Sequence, residues 1–225
     1  LLLIWFASIL ASGGWTALDM VLMGCFVLGT PWSVLGFWNA VLGLWLLAGG
    51  RRRLEQVAPF LASADRPDPI SIKTAVVMTL RNEDPARALL RLKTVKASLD
   101  ATSDGASFSY FILSDTDRSD VAEAEAALVA DWTARDADRD RIVYRRRAEN
   151  TGFKAGNVRD FCARWGGDYE LMLPLDADSV MTGDAIQRLV RIMQAHPKIG
   201  ILQSLVVGMP SSSAFARIFQ FGMRH

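Results

Sequence analysis

The 225-residue chain carries 25 Lys and Arg against 24 Asp and Glu, a formal net charge of +1, so no global charge draws it to nucleic acid. Asp19 is the single charged residue in positions 1–50, and all the others follow. An apolar stretch of membrane type thus precedes a chain of ordinary soluble composition, which excludes a disordered polymer, a collagen-like repeat and a simple cytosolic globule.

Leu1–Ala11 is apolar and opens without an initiator Met. At ~1.5 Å per residue it covers roughly half of a ~30 Å hydrocarbon core. A signal-peptide core is the alternative, with Ala11-Ser12-Gly13-Gly14 as a fair cleavage site. No basic residues precede it, so a truncated membrane helix over 1–12 is the expectation. A second apolar run, Ala17–Ala48, predicts a helix over about 18–48, interrupted by Pro31. One tilted or Pro-kinked crossing is the simplest reading. A buried hairpin of a soluble core is the alternative. Arg51-Arg52-Arg53 follows at once and marks the cytoplasmic side. Residues 1–50 are therefore expected to form a transmembrane region, with all later residues in the cytoplasm. Residues 51–70, with Pro59, Pro67 and Pro69, read as a linker or an interfacial helix. Cys25 and Cys162 offer neither a disulfide framework nor metal-ligand spacing, which fits a reducing compartment.

From residue 71 strand and helix patterns alternate. Lys73–Leu80 (KTAVVMTL) is a buried strand. Asp84-Pro85 reads as N-cap and first helical position, and Ala88, Leu89, Leu92, Val95 and Leu99 follow at helical spacing. Strands are expected at 108–113, 141–144, 169–175 and 199–207. Helices are expected at 119–135, 154–165, 185–195 and from 213. Five strands alternating with helices predict an α/β fold, a mainly parallel sheet with helices on both faces.

Such sheets bind ligands at the carboxyl ends of their strands. The segments there are Arg81-Asn82-Glu83-Asp84, Ser114-Asp115-Thr116-Asp117, Arg145 to Asn157, and Asp176-Ala177-Asp178. Three are acidic and one is basic with glycine. Carboxylates hold a hard cation, while cations and backbone N–H groups hold phosphates. Asp176 and Asp178 end an apolar strand on one side of its pleat, where they can share a divalent ion. A strand-to-helix turn with one Asp as cap explains them as well. Lys154 can meet a phosphate, Gly156 allows close backbone approach, and Asn157 can bond a sugar or fix the loop. Asp115 can accept hydrogen bonds from a base. Glu83 can do the same or orient its loop. Taken singly, Asp115 and Glu83 also read as caps.

The series TLRNED, ILSD, FKAGN and LPLDADS resembles the family 2 inverting glycosyltransferases, which have the GT-A nucleotide-sugar fold and include cellulose, chitin and hyaluronan synthases. Tyr144–Asp184, with FCARWG followed by LDADSVMTGD, is similar to the branch that builds osmoregulated periplasmic glucans in Gram-negative bacteria. The GWTALDMVL and GFWNAVLG segments resemble its membrane region. The resemblance implies an inner-membrane, multi-pass glucosyltransferase with a cytoplasmic catalytic domain. It implies UDP-glucose as donor, a growing glucan as acceptor, Mg²⁺ or Mn²⁺ as cofactor, a lipid bilayer around the helices, and other glucan biosynthesis proteins as partners. Asp115 is then expected at the uracil, Glu83 at the uridine edge, and Lys154 with Gly156 and Asn157 at the diphosphate. Asp176 and Asp178 are expected at the metal, with Asp178 the direct ligand. Leu80-Arg81-Asn82-Glu83 departs from the Tyr-Asn-Glu turn of many relatives, which leaves base stacking there open. The general base and the QxxRW-type motif are expected beyond His225. Residues 71–225 would then be the N-terminal, donor-binding part of the domain, inactive by itself. The alternatives are a cellulose-like synthase of the same family and a non-catalytic, membrane-tethered nucleotide-binding scaffold.

Overall fold

A computed structural model describes residues 1–224. The chain divides into two compact units, Phe60–Ser204 and Leu1–Pro59 with the segment from Leu205 onward. In the latter, the two apolar runs are helices, α1 (Leu2–Ala11) and α2 (Ala17–Ala48). Thr16 caps α2, accepting from the Asp19 amide, while the Asp19 carboxylate accepts from the Thr16 N–H at 2.8 Å. This reciprocal pair satisfies two otherwise orphaned donors. Phe6 and Phe26 stack with ring centroids 4.1 Å apart. Of the helices among the described residues, α2 alone is long and apolar enough to cross a membrane. Gly50 takes φ +61°, which separates α2 from α3 (Gly50–Val57). Arg53 donates to the Trp45 carbonyl at 2.6 Å, satisfying one of the last acceptors of α2.

The Phe60–Ser204 unit begins inside a 3-10 turn, Pro59–Ser63, and continues as β1 (Thr74–Leu80), α4 (Pro85–Asp100), β2 (Phe108–Ser114), α5 (Ser119–Arg135), β3 (Ile142–Arg146), α6 (Phe153–Trp165), β4 (Leu171–Asp176) and α7 (Gly183–Ala195). All strand pairs are parallel, in the order β3-β2-β1-β4. Asp84 caps α4 through the Arg87 amide, with Pro85 at the first position, as its sequence predicts. Ala88, Leu89, Leu92, Val95 and Leu99 are all buried. With Ile186 and Val190 of α7, and Val129 and Trp132 of α5, they cover the sheet face formed by Val76, Met78, Tyr110 and Ile112. Among the described residues of this unit, α6 is the helix on the other face. Phe161 meets Phe111 edge-on at 4.8 Å, and Trp165 lies 5.3 Å from the same ring. Burying such aromatic side chains anchors α6 by about 1.5–3 kcal/mol each.

The expected fifth strand, 199–207, is not formed. Those residues take neither helix nor strand, and Ile201, Leu205 and Val206 are exposed. A β-branched run becomes a strand only when its N–H and C=O groups find a partner ladder. Among the described residues the sheet stops at β4, whose Pro174 suits an edge position. The chain ends its described part in α8 (Ala214–Arg224).

Candidate functional site

The carboxyl ends of β1, β2 and β4, with the segment that follows β3, meet around one cleft of about 490 Å³. Its walls include Thr79, Arg81, Glu83, Asp115, Asn150, Phe153, Lys154, Asn157, Asp176 and Asp178. Of the seven residues singled out in the sequence, six line this space; Gly156 lies just behind it.

Asp176 closes β4 opposite Thr79 of β1. The chain then turns tightly, the Ser179 N–H donating to the Asp176 carbonyl at 3.0 Å. Ala177 is directed inward and its carbonyl accepts from Arg91 at 3.0 Å, which pins the turn to α4. Asp176 and Asp178, on either side of it, are both exposed. Lys154, from the first turn of α6, pairs with Asp176 across the cleft. Both side chains are more than half exposed, so water screens the pair. Among the described residues no three His, Cys, Asp or Glu side chains converge on a metal cage. Two exposed carboxylates are a donor set for a hard cation that keeps waters and takes its other ligands from phosphate, the habit of Mg²⁺.

Asp115 sits in the floor, and its position follows from strand alternation. Ser114 points to the α5 side and Asp115 to the cleft. The Asp115 N–H continues the ladder by donating to the Leu80 carbonyl at 2.8 Å. Arg147 grips the Asp115 carboxylate with both arms, Nε at 2.7 Å and Nη2 at 2.6 Å. Beside this carboxylate the Arg147 guanidinium is held above its ordinary pKa. Arg147 also donates to the carbonyls of Thr151 and Phe153 at 3.1 and 3.2 Å. Asp115 thus organises the 147–153 loop through a fork-to-fork pair. Asn150 lies between Asp115 and Arg81: with its amide oriented to suit both neighbours, its N–H donates to Asp115 at 3.0 Å and its oxygen accepts from Arg81 at 3.0 Å.

The three consecutive arginines diverge. Arg145 turns in, 9 % exposed, to Asp160 and the Asn157 carbonyl, and burial lowers its pKa. Arg146 donates to the Thr116 carbonyl at 2.9 Å. Arg147 takes Asp115. A run that reads as a basic loop is three separate anchors.

Gly156 and Asn157 belong to the body of α6. A Cβ on Gly156 would stand 2.0 Å from the Thr151 carbonyl oxygen. Its smallness therefore lets the 147–153 loop close on α6. Asn157 is 1 % exposed and donates to the Leu113 carbonyl at 3.0 Å. It fixes the end of β2, while its Oδ1 has no protein partner. Glu83 accepts from the Arg81 N–H and orders its own turn. In that turn Asn82 has φ +62°, donates through its side chain to Asp117 at 2.6 Å and accepts from the Arg118 N–H at 3.2 Å.

Arg81, Arg147, Asn150 and Phe153 were not singled out from the sequence. Phe153 opens α6 with φ +51° after Gly152 at +73°. Its ring is 67 % exposed and faces the Arg81 guanidinium at 6.0 Å. A large apolar residue in a left-handed conformation, left uncovered beside a polar cleft, stores strain of about 1–3 kcal/mol. The available signal was position: Asn150 and Phe153 shortly precede Lys154 in the segment that runs from the end of β3 into α6.

Residues 75–220 match the sequence model of glycosyl transferase family 2. The chain belongs to that family. Curated relatives named glucans biosynthesis glucosyltransferase H are 40% identical in Xanthomonas campestris pv. campestris strain B100, over 96% of this chain and 33% of the relative. The same name and identity recur in Xanthomonas euvesicatoria pv. vesicatoria strain 85-10, over 96% and 33%. In Pseudomonas paraeruginosa PA7 identity is 37%, over 90% of this chain and 23% of the relative. The chain therefore spans a third or less of the length of these relatives. Within the matched span, Asp115 and the Asp176–Asp178 pair follow strand ends and Lys154 lies in the first turn of α6.

Proposed function

We propose that this chain is the membrane-attached, donor-binding part of a glucosyltransferase that uses UDP-glucose to extend the β-glucan backbone of osmoregulated periplasmic glucans. The observation that carries this reading is the convergence of Asp115, Lys154, Asp176 and Asp178 on one cleft. The names of the relatives support the glucan product. The cleft is of a size that suits a nucleotide-sized ligand.

In this account the base enters beside Asp115. Arg147 and Asn150 together make three bonds to the Asp115 oxygens, but a carboxylate has about four acceptor sites, so one remains for a base N–H. Glu83 shapes the uridine edge through the Arg81 backbone. Lys154 leaves Asp176 for the diphosphate, where its charge meets that of the leaving group. Gly156 and Asn157 hold the loop and helix that present Lys154. Asp176 and Asp178 would hold Mg²⁺ or Mn²⁺ against the same diphosphate. Bound there, the cation neutralises the charge that grows on the leaving group. No residue of this chain is proposed as general base. That role is assigned to the longer protein, which would also bring the acceptor. Helix α2 is proposed to cross the inner membrane, with Arg52 and Arg53 on the cytoplasmic side.

The test is Asp178→Ala in the full-length gene product. Glucan synthesis from labelled UDP-glucose should fall by about 10²–10³, the scale for losing one charge-stabilising contact, with membrane insertion unchanged. Full activity would reject the metal assignment, whereas a full-length protein that binds no UDP would favour a scaffold.

A further inference from the structure

Helix α5 carries two glutamates two residues apart. Glu123 is exposed, while Glu125 is 1 % exposed. Among the described residues Glu125 makes no ion pair, so what holds a buried carboxylate there is a set of hydroxyls. Ser114 donates to its Oε2 at 2.6 Å, Tyr144 donates to the same oxygen at 3.1 Å, and Thr116 donates to Oε1 at 2.5 Å.

A carboxylate only accepts, so each hydroxyl donates to it, and two of the hydroxyls are themselves held by backbone amides. Ser114 Oγ accepts the Thr116 N–H at 3.2 Å, and Thr116 Oγ1 accepts the Asn82 N–H at 3.0 Å. Each of these two hydroxyls thus bridges a backbone N–H to Glu125. Ser114 and Thr116 are the residues on either side of Asp115. Asn82 lies in the turn that contains Arg81 and Glu83. Tyr144 is in β3, three residues before Arg147. One carboxylate, outside the cleft and behind the sheet, ties together the three strand ends that supply the nucleoside side of the site.

We infer that Glu125 is a positioning residue for the donor site: it fixes the Ser114–Thr116 segment and the Asn82 turn, so that Asp115 and Arg81 are held in place for a nucleotide. It touches no part of the cleft and acts through Ser114, Thr116 and Asn82. The inference rests on the nucleotide-donor reading above. It adds that the affinity of that site is set from α5, through hydroxyl groups on either side of Asp115. With Glu125 removed, the buried hydroxyls of Ser114 and Thr116 and the half-buried one of Tyr144 lose their acceptor together, and the Asp115 segment is freed from one side.

The experiment titrates UDP into the full-length protein in membrane vesicles, with a thermal melt of each variant. Glu125→Ala should weaken UDP binding at least about tenfold, whereas Glu125→Gln, which keeps an acceptor and the shape, should stay within about threefold. Lys96→Met supplies the control for lost stability. Lys96 is buried at the other end of the sheet, paired with Asp100 at 2.6 Å and Asp136 at 3.1 Å. That variant should melt earlier yet bind UDP as the wild type does. Glu125→Ala binding as well as wild type, or losing affinity only in step with Lys96→Met, would overturn the inference and leave the donor reading standing. A wild type that binds no UDP would overturn both.

Discussion

Asp115 at the end of β2 and Arg147 after β3 form a two-pronged pair, 2.7 and 2.6 Å, with side chains only 4 % and 12 % exposed. The pair neutralises a carboxylate in the floor of the cleft and fixes the loop that leads to Lys154. Arg147→Lys is not conservative here, because an ammonium offers a point charge where the site needs a planar fork. That variant should weaken UDP binding about 10–100-fold, the loss of one to two charge-assisted hydrogen bonds. Arg147→Ala should also destabilise the unit by about 3 kcal/mol, since it strands a buried carboxylate. Isothermal titration and urea melts read the two effects separately.

Gly156 makes a second prediction, because the demand for glycine is steric. With 2.0 Å to the Thr151 carbonyl oxygen, a methyl group cannot enter unless the loop moves. Gly156→Ala should cost about 1–3 kcal/mol of stability, the usual range for overpacking. It should also lower UDP affinity, as Lys154 is carried two residues away on the same helix. An alanine variant with unchanged melt and affinity would show that the loop closes differently.

These two residues show what a linear reading can reach. The four strands that formed and the helices between them follow from buried runs and helical spacing, because each pattern reports its own burial. The convergence of Asp115, Lys154, Asp176 and Asp178 was also legible, since parallel strands bring their carboxyl ends to one edge. The run at 199–207 has the composition of a strand, but pairing is a property of a neighbour and not of the run. Arg147 was hidden among three arginines whose destinations depend on strand alternation. Glu125 was hidden in an Ala- and Glu-rich helix. Its spacing from Ala122 and Val129, which are buried on the same face, was the one signal that could have marked it.

Acid stability gives a third prediction. Asp136 is pushed up by burial, but the Asp138 amide, Lys96 and Trp132 outweigh this and hold its carboxyl below the ordinary value. Asp138 is held low chiefly by its hydrogen bond from Arg141. A lowered folded pKa means that the unfolded chain takes up protons first as pH falls. The stabilisation is thus complete above the ordinary carboxylate pKa near 4 and is lost as pH drops below it. Denaturation midpoints of the wild type should be flat from about pH 7 to 5 and decline below about pH 4. Lys96→Met should lower the plateau by about 3 kcal/mol, as expected for removing a buried charge partner, and make the acid decline shallower.

The central claim is that the four strand ends build a pocket for a nucleoside diphosphate and a divalent cation. Its most direct measurement is a UDP titration of the membrane-embedded protein with and without Mg²⁺, repeated on Asp178→Ala. The account predicts that Mg²⁺ tightens UDP binding in the wild type and that this dependence disappears in the variant. UDP binding that ignores Mg²⁺, or a variant that responds to Mg²⁺ as the wild type does, would contradict it.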